Sequence, residues 1–416
     1  MREEALVYVD LSGRSEFVGR LWSHRKNAEE SATFEYDKEW LKNPAAFSLE
    51  PALILGQGKF QTRNKQRLFG ALGDSAPDRW GRTLMKRAER LRSQKAKEIP
   101  RTLGELDFLL LVDDEARMGA LRFKTDLDSD FVSHGRKTIP PLLDLGKLLS
   151  ATEKVVSEDD EAEDIKLLLA PGSSLGGARP KASIREKDGT LSIAKFPNKQ
   201  DDFDVVNWEA LALTLAMKAG INVPKFRVEL VEKRAVLILH RFDRIKKERL
   251  GFLSALSMLG ALDNETHSYM EIADSLQQFG AERLIDSNEL WKRILFNVLI
   301  SNTDDHLRNH GFLYSGQKGW RLSPAYDLNP VPVEIRPRVL STTIDEMDGT
   351  CSIDQVLKVS SYFNVKLSEA RRTTKAVAEV VKNWRLEATK LKIKKNEVDQ
   401  MESAFEHTDL KEALKM

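Results

Sequence analysis

Ile300-Ser-Asn-Thr-Asp-Asp-His-Leu-Arg-Asn-His310 follows directly on the apolar run Ile294–Ile300. That run reads as a buried helix, and so many polar residues straight after a core element need a reason. A buried carboxylate is costly unless it is paired, hydrogen-bonded or bound to a metal. Asp304 and Asn309 stand five apart and offer a carboxylate and an amide oxygen. Eighteen residues beyond Asn309, Leu322-Ser-Pro-Ala-Tyr-Asp-Leu328 sets one carboxylate, Asp327, in apolar surroundings after a strand-like Gly311–Tyr314. Oxygen-only ligands such as Asn309 and Asp327 suit magnesium. His306 and His310 are four apart and would share a helix face, so with Asp304 and Asp305 they give a metallohydrolase as the competing reading.

Upstream, Ser173-Ser-Leu-Gly-Gly-Ala-Arg-Pro-Lys181 is a glycine turn with added positive charge. The adjacent Gly176 and Gly177 would let backbone N–H groups approach a phosphate, with Arg179 and Lys181 adding positive charge. The segment is neither Gly-x-Gly-x-x-Gly nor a Walker A loop. Lys195 lies on the strand-like Leu191–Phe196. Glu209 lies on a helix expected over 205–219, where Trp208, Leu211, Leu215 and Ala219 recur at spacings of three and four. Taken singly, Asp304, Asn309 and Asp327 could each be a cap or turn residue. Taken together, glycine loop, strand lysine, helix glutamate, Asp-x4-Asn and a lone Asp follow the order of parts in a protein kinase. A metallohydrolase would leave the glycine loop and Lys195 without a task.

The rest of the chain sets bounds. Its 416 residues allow two or three domains. A net charge of +1 argues against nucleic-acid or membrane binding by bulk charge. No apolar run is long enough for a membrane helix. The one cysteine, Cys351, excludes an intrachain disulfide and reads as a small buried hydrophobe. The acidic start is unlike a secretory signal, and a cytoplasmic protein is expected. Strands are expected over 6–9, 17–21 and 32–40, the first two around the Ser12-Gly13 turn. A basic helix is expected over 83–94 and further helices over 103–111 and 142–156. The polar stretch 125–141 is the candidate linker. Two strands, 226–231 and 235–239, join through Glu232-Lys233-Arg234. From 254 onward the pattern is mostly helical.

The segments Gly176-Gly-Ala-Arg-Pro-Lys181, Asn302-Thr-Asp-Asp-His-Leu-Arg-Asn309 and Leu322-Ser-Pro-Ala-Tyr-Asp327 resemble the signatures of HipA-type serine/threonine kinases, the toxin halves of bacterial toxin–antitoxin pairs. Tyr36-Asp-Lys-Glu-Trp-Leu41 and Asp74-Ser-Ala-Pro-Asp-Arg-Trp-Gly81 resemble that family's N-terminal subdomain. The resemblance implies an α+β, two-lobed, protein-kinase-like fold with an added β-rich N-terminal subdomain and a mostly helical C-terminal lobe. The expected divisions are 1–124, the linker 125–141, a kinase N-lobe over 142–250 and a helical C-lobe over 251–416. Three features of ordinary protein kinases are missing: Asn302-Thr303 replaces His-Arg before the catalytic aspartate, Tyr326-Asp327-Leu328 replaces Asp-Phe-Gly, and there is no Ala-Pro-Glu segment.

The resemblance also implies roles. Asp304 would be the catalytic base, and Asn309 and Asp327 would hold magnesium. Lys195 would contact the phosphates of ATP, with Lys181 and the backbone of Gly176, Gly177 and Ala178 closing over them. His240-Arg241-Phe242 would form the hinge beside adenine. Ser174, or its neighbour Ser173, would be autophosphorylated. Glu209 and His306 would support the site. Implied partners are a protein substrate such as an aminoacyl-tRNA synthetase, a small helix-turn-helix, HipB-like antitoxin, and operator DNA mainly through that antitoxin, with no membrane. Two alternatives from other classes stand beside this reading: a pseudokinase acting as corepressor, and a lipid or small-molecule kinase. Phosphoryl transfer to protein separates them.

Overall fold

A computed structural model describes residues 3–26, 29–63, 65–132, 139–169, 177, 179–198 and 201–416. It divides into two compact units, Met1–Gln200 with Glu229–Leu253, and Asp201–Val228 with Ser254–Met416. These units cut the chain elsewhere than composition does. Both sides of the polar stretch 125–141 fall in the first unit, and the helix bearing Glu209 falls in the second.

The first unit opens with an antiparallel sheet of β1 (Glu4–Leu11), β2 (Arg14–Lys26), β3 (Glu29–Tyr36), β4 (Lys59–Gln61) and β5 (Leu121–Lys124), in the order β4-β3-β2-β1-β5. The expected Ser12-Gly13 turn joins β1 to β2, with both residues at positive φ (51° and 83°), the twist a two-residue hairpin turn favours. The third strand is shorter than its apolar pattern suggests. It stops at Tyr36 because the Asp37 carboxylate accepts from the Glu39 N–H and caps the helix Lys38–Lys42, which buries Trp40.

A second antiparallel sheet contains β6 (Lys181–Arg185), β7 (Leu191–Lys195), β8 (Phe226–Val231) and β9 (Arg234–His240), in the order β6-β7-β9-β8. The helices Arg79–Ala96, Leu145–Ser157 and Ala162–Leu169 build one core with it. Trp80, Leu84, Leu148, Leu149 and Leu168 pack against Ala182, Ile184, Ala194, Val236 and Ile238. The helix expected over 142–156 starts as a 3-10 turn at Leu142–Asp144 before its α-helical part. A short ribbon of β10 (Arg244–Ile245) and β11 (Glu248–Arg249) follows β9.

Between β9 and that ribbon sits a buried charge knot. Asp243 is wholly buried and takes two hydrogen bonds from Arg241 (2.9 and 2.6 Å), one from Arg244 (2.6 Å) and one from the Gly119 N–H (2.8 Å). Arg241 also donates to the carbonyls of Ala116 and Arg117 (2.7 and 2.8 Å). The knot therefore ties the end of β9 to the chain leading into β5.

The second unit is mostly helical. The helix Arg283–Ile300 runs through its core, beside Tyr269–Phe279 and Leu367–Val381. The antiparallel strands β12 (Gly311–Tyr314) and β13 (Trp320–Leu322) follow the loop after that helix. The helix Val205–Lys218 places Trp208 6.1 Å from Trp384 and 6.2 Å from Phe405, and Trp384 stacks on Phe405 at 4.6 Å. Trp384→Ala removes one ring of this buried, mutually contacting trio. The expected loss is about 3–5 kcal/mol, read as a lower urea midpoint.

Candidate active site

The helix Arg283–Ile300 ends because Ser301 turns left-handed (φ 53°) and its hydroxyl donates to the Ala404 carbonyl at 2.8 Å. The loop then presents two adjacent aspartates in opposite settings. Asp305 is buried, and Oδ2 accepts from the Tyr269 hydroxyl (2.5 Å) and the Asn297 amide (2.8 Å) and bonds the His310 ring (2.7 Å). Its carbonyl accepts from the Thr342 N–H and hydroxyl. Burial, then the neighbouring Asp305, push the Tyr269 phenol well above its ordinary range, so it stays a donor. Asp304, by contrast, has a side chain 64% exposed and pairs with Arg336 at 2.7 Å.

Asn309 is buried, and its amide donates to the Asp304 carbonyl at 3.2 Å. The segment bearing Asp327 lies along the same loop. The Tyr326 hydroxyl donates to the Arg308 carbonyl (2.8 Å), the Asn329 N–H to the Asn302 side chain (3.0 Å), and the Val331 N–H to the Ser301 carbonyl (3.1 Å). Asp327 sits between the first two of these contacts in a left-handed conformation (φ 59°), which Asp tolerates, and accepts from the Asn329 amide at 3.3 Å. The Asn329 Oδ1 is buried without a hydrogen-bond partner. This orphaned amide oxygen beside Asp327 adds to the oxygen-only donors that Asp327 and Asn309 offer, a chemistry that fits magnesium.

The other sequence-predicted residues fall as follows. Lys195 ends β7, in register with Leu237 on one side and Lys181 on the other. Lys181 is 2% exposed and pairs with Asp78 at 3.2 Å, while its carbonyl accepts from the Trp80 indole. The conspicuous 74–81 segment thus anchors β6. Gly177 has φ 85°, and a side chain there would meet Lys181 Nζ at 3.3 Å. Gly176, Ala178, Ser173 and Ser174 lie outside the described residues. His240 ends β9 opposite Ser192, and the Phe242 ring lies 6.3 Å from that of Phe252. The Arg241 guanidinium is held in the charge knot, and its backbone N–H donates to the Leu191 carbonyl at 3.1 Å, so neither is left for a ligand. Glu209 is buried on Val205–Lys218.

His306 departs from expectation. Its ring is exposed, and its backbone alone joins the loop, the N–H donating to Asp304 and the carbonyl accepting from Asn309. The ring that holds the loop belongs to His310. The metallohydrolase geometry fails for the same reason: residues 307–309 form a 3-10 turn, and His310 turns inward to Asp305. Among the described residues no group of three or more His, Cys, Asp or Glu could hold a metal. Cys351 is buried, and burial pushes its thiol up to about 12.

The residues that sequence reasoning missed are Asp305, Tyr269, Asn297, His310 as a loop support, and Arg336. In sequence Asp305 is only a second carboxylate beside Asp304, and nothing local points to Arg336, thirty-two residues from its partner. Asp305→Ala leaves three polar groups buried without their acceptor. It is expected to cost about 3 kcal/mol or more, checked by thermal and urea unfolding.

The fold and loop define a mixed helix-and-sheet protein with a kinase-like arrangement, an antiparallel sheet unit joined to a helical unit that carries a polar loop. The HipA N-terminal domain family matches residues 9–123, and the HipA-like C-terminal domain family matches residues 173–385, half of the chain. The chain belongs to the HipA family.

Two curated proteins bearing the name "Putative kinase" are similar. One, from Haemophilus influenzae, is 27% identical over 42% of this chain and 56% of its own length. The other, from Sinorhizobium fredii, is 24% identical over 37% of this chain and 41% of its own. The chain thus spans about half the length of the curated relatives it matches. Among solved structures, HipA from the Shewanella oneidensis HipA, HipB and operator DNA complex aligns with a TM-score of 0.65 at 15% identity, covering 99% of this chain and 96% of that one. Its fold is this chain's fold. No helix among the described residues is long and apolar enough to cross a membrane.

Proposed function

We propose that the protein is an ATP- and magnesium-dependent serine/threonine protein kinase, the toxin half of a toxin–antitoxin pair. The observation that carries this reading is the alignment of the Asp327 segment along the 301–309 loop, with the orphaned Asn329 oxygen beside it. Asp304 accepts the substrate hydroxyl proton as that oxygen attacks the γ-phosphoryl group of ATP, and ADP leaves. Asn309 and Asp327 would hold magnesium, which when bound neutralises phosphate charge. Lys195 contacts the nucleotide phosphates, and the backbone near Phe242 meets adenine. Asp305, through Tyr269, Asn297 and His310, keeps the loop rigid so that Asp304 stays aimed. Ser174 or Ser173 is the proposed autophosphorylation site.

The proposed partner is a small DNA-binding antitoxin, since the Shewanella complex holds HipA with HipB and operator DNA. A translation protein such as an aminoacyl-tRNA synthetase is the proposed target. The test is incubation of the purified chain with magnesium and γ-labelled ATP, alone and with a cell lysate, followed by phosphosite mapping. Label on serine or threonine that disappears when EDTA removes the metal supports the reading. Silence in both incubations sinks it in favour of a corepressor, and label confined to lipid or metabolites favours a small-molecule kinase.

A further inference from the structure

The geometry points to Arg336 as a positioning residue for Asp304, and this inference rests on the kinase reading above. Asp304 is the exposed member of the loop's two aspartates, and an exposed carboxylate samples several rotamers. One ion pair restrains it. Arg336 Nη1 meets Asp304 Oδ1 at 2.7 Å, and among the described residues no other protein group bonds that carboxylate. The same guanidinium donates through Nη2 to the Ser341 hydroxyl at 2.9 Å. Ser341 in turn is fixed to the residue before Asp304, its N–H and hydroxyl donating to the Thr303 carbonyl at 3.0 and 3.1 Å.

The contacts therefore close a ring from the Thr303 backbone through Ser341 and Arg336 to the Asp304 side chain. The turn at Pro332, whose carbonyl accepts from the Ile335 and Arg336 N–H groups, holds the arginine from behind. Only Oδ1 is engaged, which leaves Oδ2 to receive the substrate hydroxyl.

Charge alone does not explain this arrangement. The pair is substantially exposed, 40% for Arg336 and 64% for Asp304, and such pairs add little to stability. Its geometric content is larger. A planar fork bonds two partners at once in a fixed relation, which a lysine ammonium on a flexible stem does not reproduce. Aim matters for a group that must receive a proton in flight, since a small misplacement of a reacting group can cost a hundredfold in rate.

The test compares wild type, Arg336→Ala, Arg336→Lys, Ser341→Ala and Asp304→Asn. It measures magnesium-dependent transfer from γ-labelled ATP to lysate proteins over a range of ATP concentrations. Arg336→Ala is expected to lower kcat roughly tenfold to a hundredfold with the KM for ATP and the melting temperature nearly unchanged. Arg336→Lys recovers part of the loss, Ser341→Ala loses less than Arg336→Ala, and millimolar guanidinium restores part of the Arg336→Ala rate.

An Arg336→Ala rate equal to or above wild type overturns the inference, the second case marking the pair as a block on the base. So does a loss that follows the melting temperature or appears only in KM. Asp304→Asn separates the two layers. If it is inactive while Arg336→Ala is fully active, the positioning role falls and the kinase reading stands. If Asp304→Asn retains activity, or wild type transfers nothing, both fall.

Discussion

On the proposed kinase reading, Asp304→Asn is expected to lower phosphoryl transfer to protein by about 10²–10⁴-fold, the range a lost general base commands. The amide keeps the size of the carboxylate and removes its capacity to take the substrate proton. The fold should be indifferent, because the side chain is largely exposed and bonds Arg336 alone among the described residues. The neighbouring aspartate gives the contrast that makes the result specific. Asp305 is buried among Tyr269, Asn297 and His310, and removing it should lower the melting temperature as well as the rate. Transfer kinetics and thermal unfolding of the two variants side by side check this. An Asp304→Asn protein that melts early, or transfers at a wild-type rate, would refute the assignment.

Asp243→Ala is expected to lower stability strongly, by as much as the loss of a buried tryptophan ring. It removes the acceptor of two buried arginines and of the Gly119 N–H, leaving Arg241 charged and desolvated. Breaking a buried pair from one side costs about 3–5 kcal/mol, read from urea unfolding at neutral pH. The pH dependence has a definite sign. Burial alone would raise the Asp243 carboxyl, but Arg241 and then Arg244 outweigh it and hold it well below the usual carboxylate range. A depressed carboxyl stabilises the fold above its unfolded value near ~4 and loses that contribution as pH falls toward the folded one. The gap between wild type and Asp243→Ala should therefore be full at neutral pH and narrow only below about pH 4.

Much of this was legible because it is local. The Ser12-Gly13 hairpin, the strands 191–195 and 311–314 and the apolar helix ahead of the polar loop follow from side-chain period and turn chemistry over a few residues. Asp304, Asn309 and Asp327 could be named because residue type and spacing along one loop and the segment after it carry the pattern. Trp40 shows where periodicity misleads. Its alternation continues β3, but the Asp37 cap outcompetes the strand and converts the same apolar residue into a helical one.

What stayed hidden depends on residues far apart in sequence. Lys181 carries positive charge in a glycine-rich segment, and only the fold brings Asp78 to it and buries the pair. The Arg241 guanidinium is claimed by Asp243 and by carbonyls of residues 116 and 117. His306 and His310 look alike in sequence, yet the 3-10 turn between them sends one to solvent and the other to Asp305.

By itself, then, the sequence offered oxygen donors and a lysine in an order that suits phosphoryl transfer, with the His306 and His310 pair as the competing metal-site reading. Tertiary structure decided which of two adjacent aspartates faces solvent, which histidine is structural and what holds the exposed carboxylate in place. The physical reason is that residue type fixes which bonds a group can make, whereas burial and long-range partners fix which of those bonds it does make.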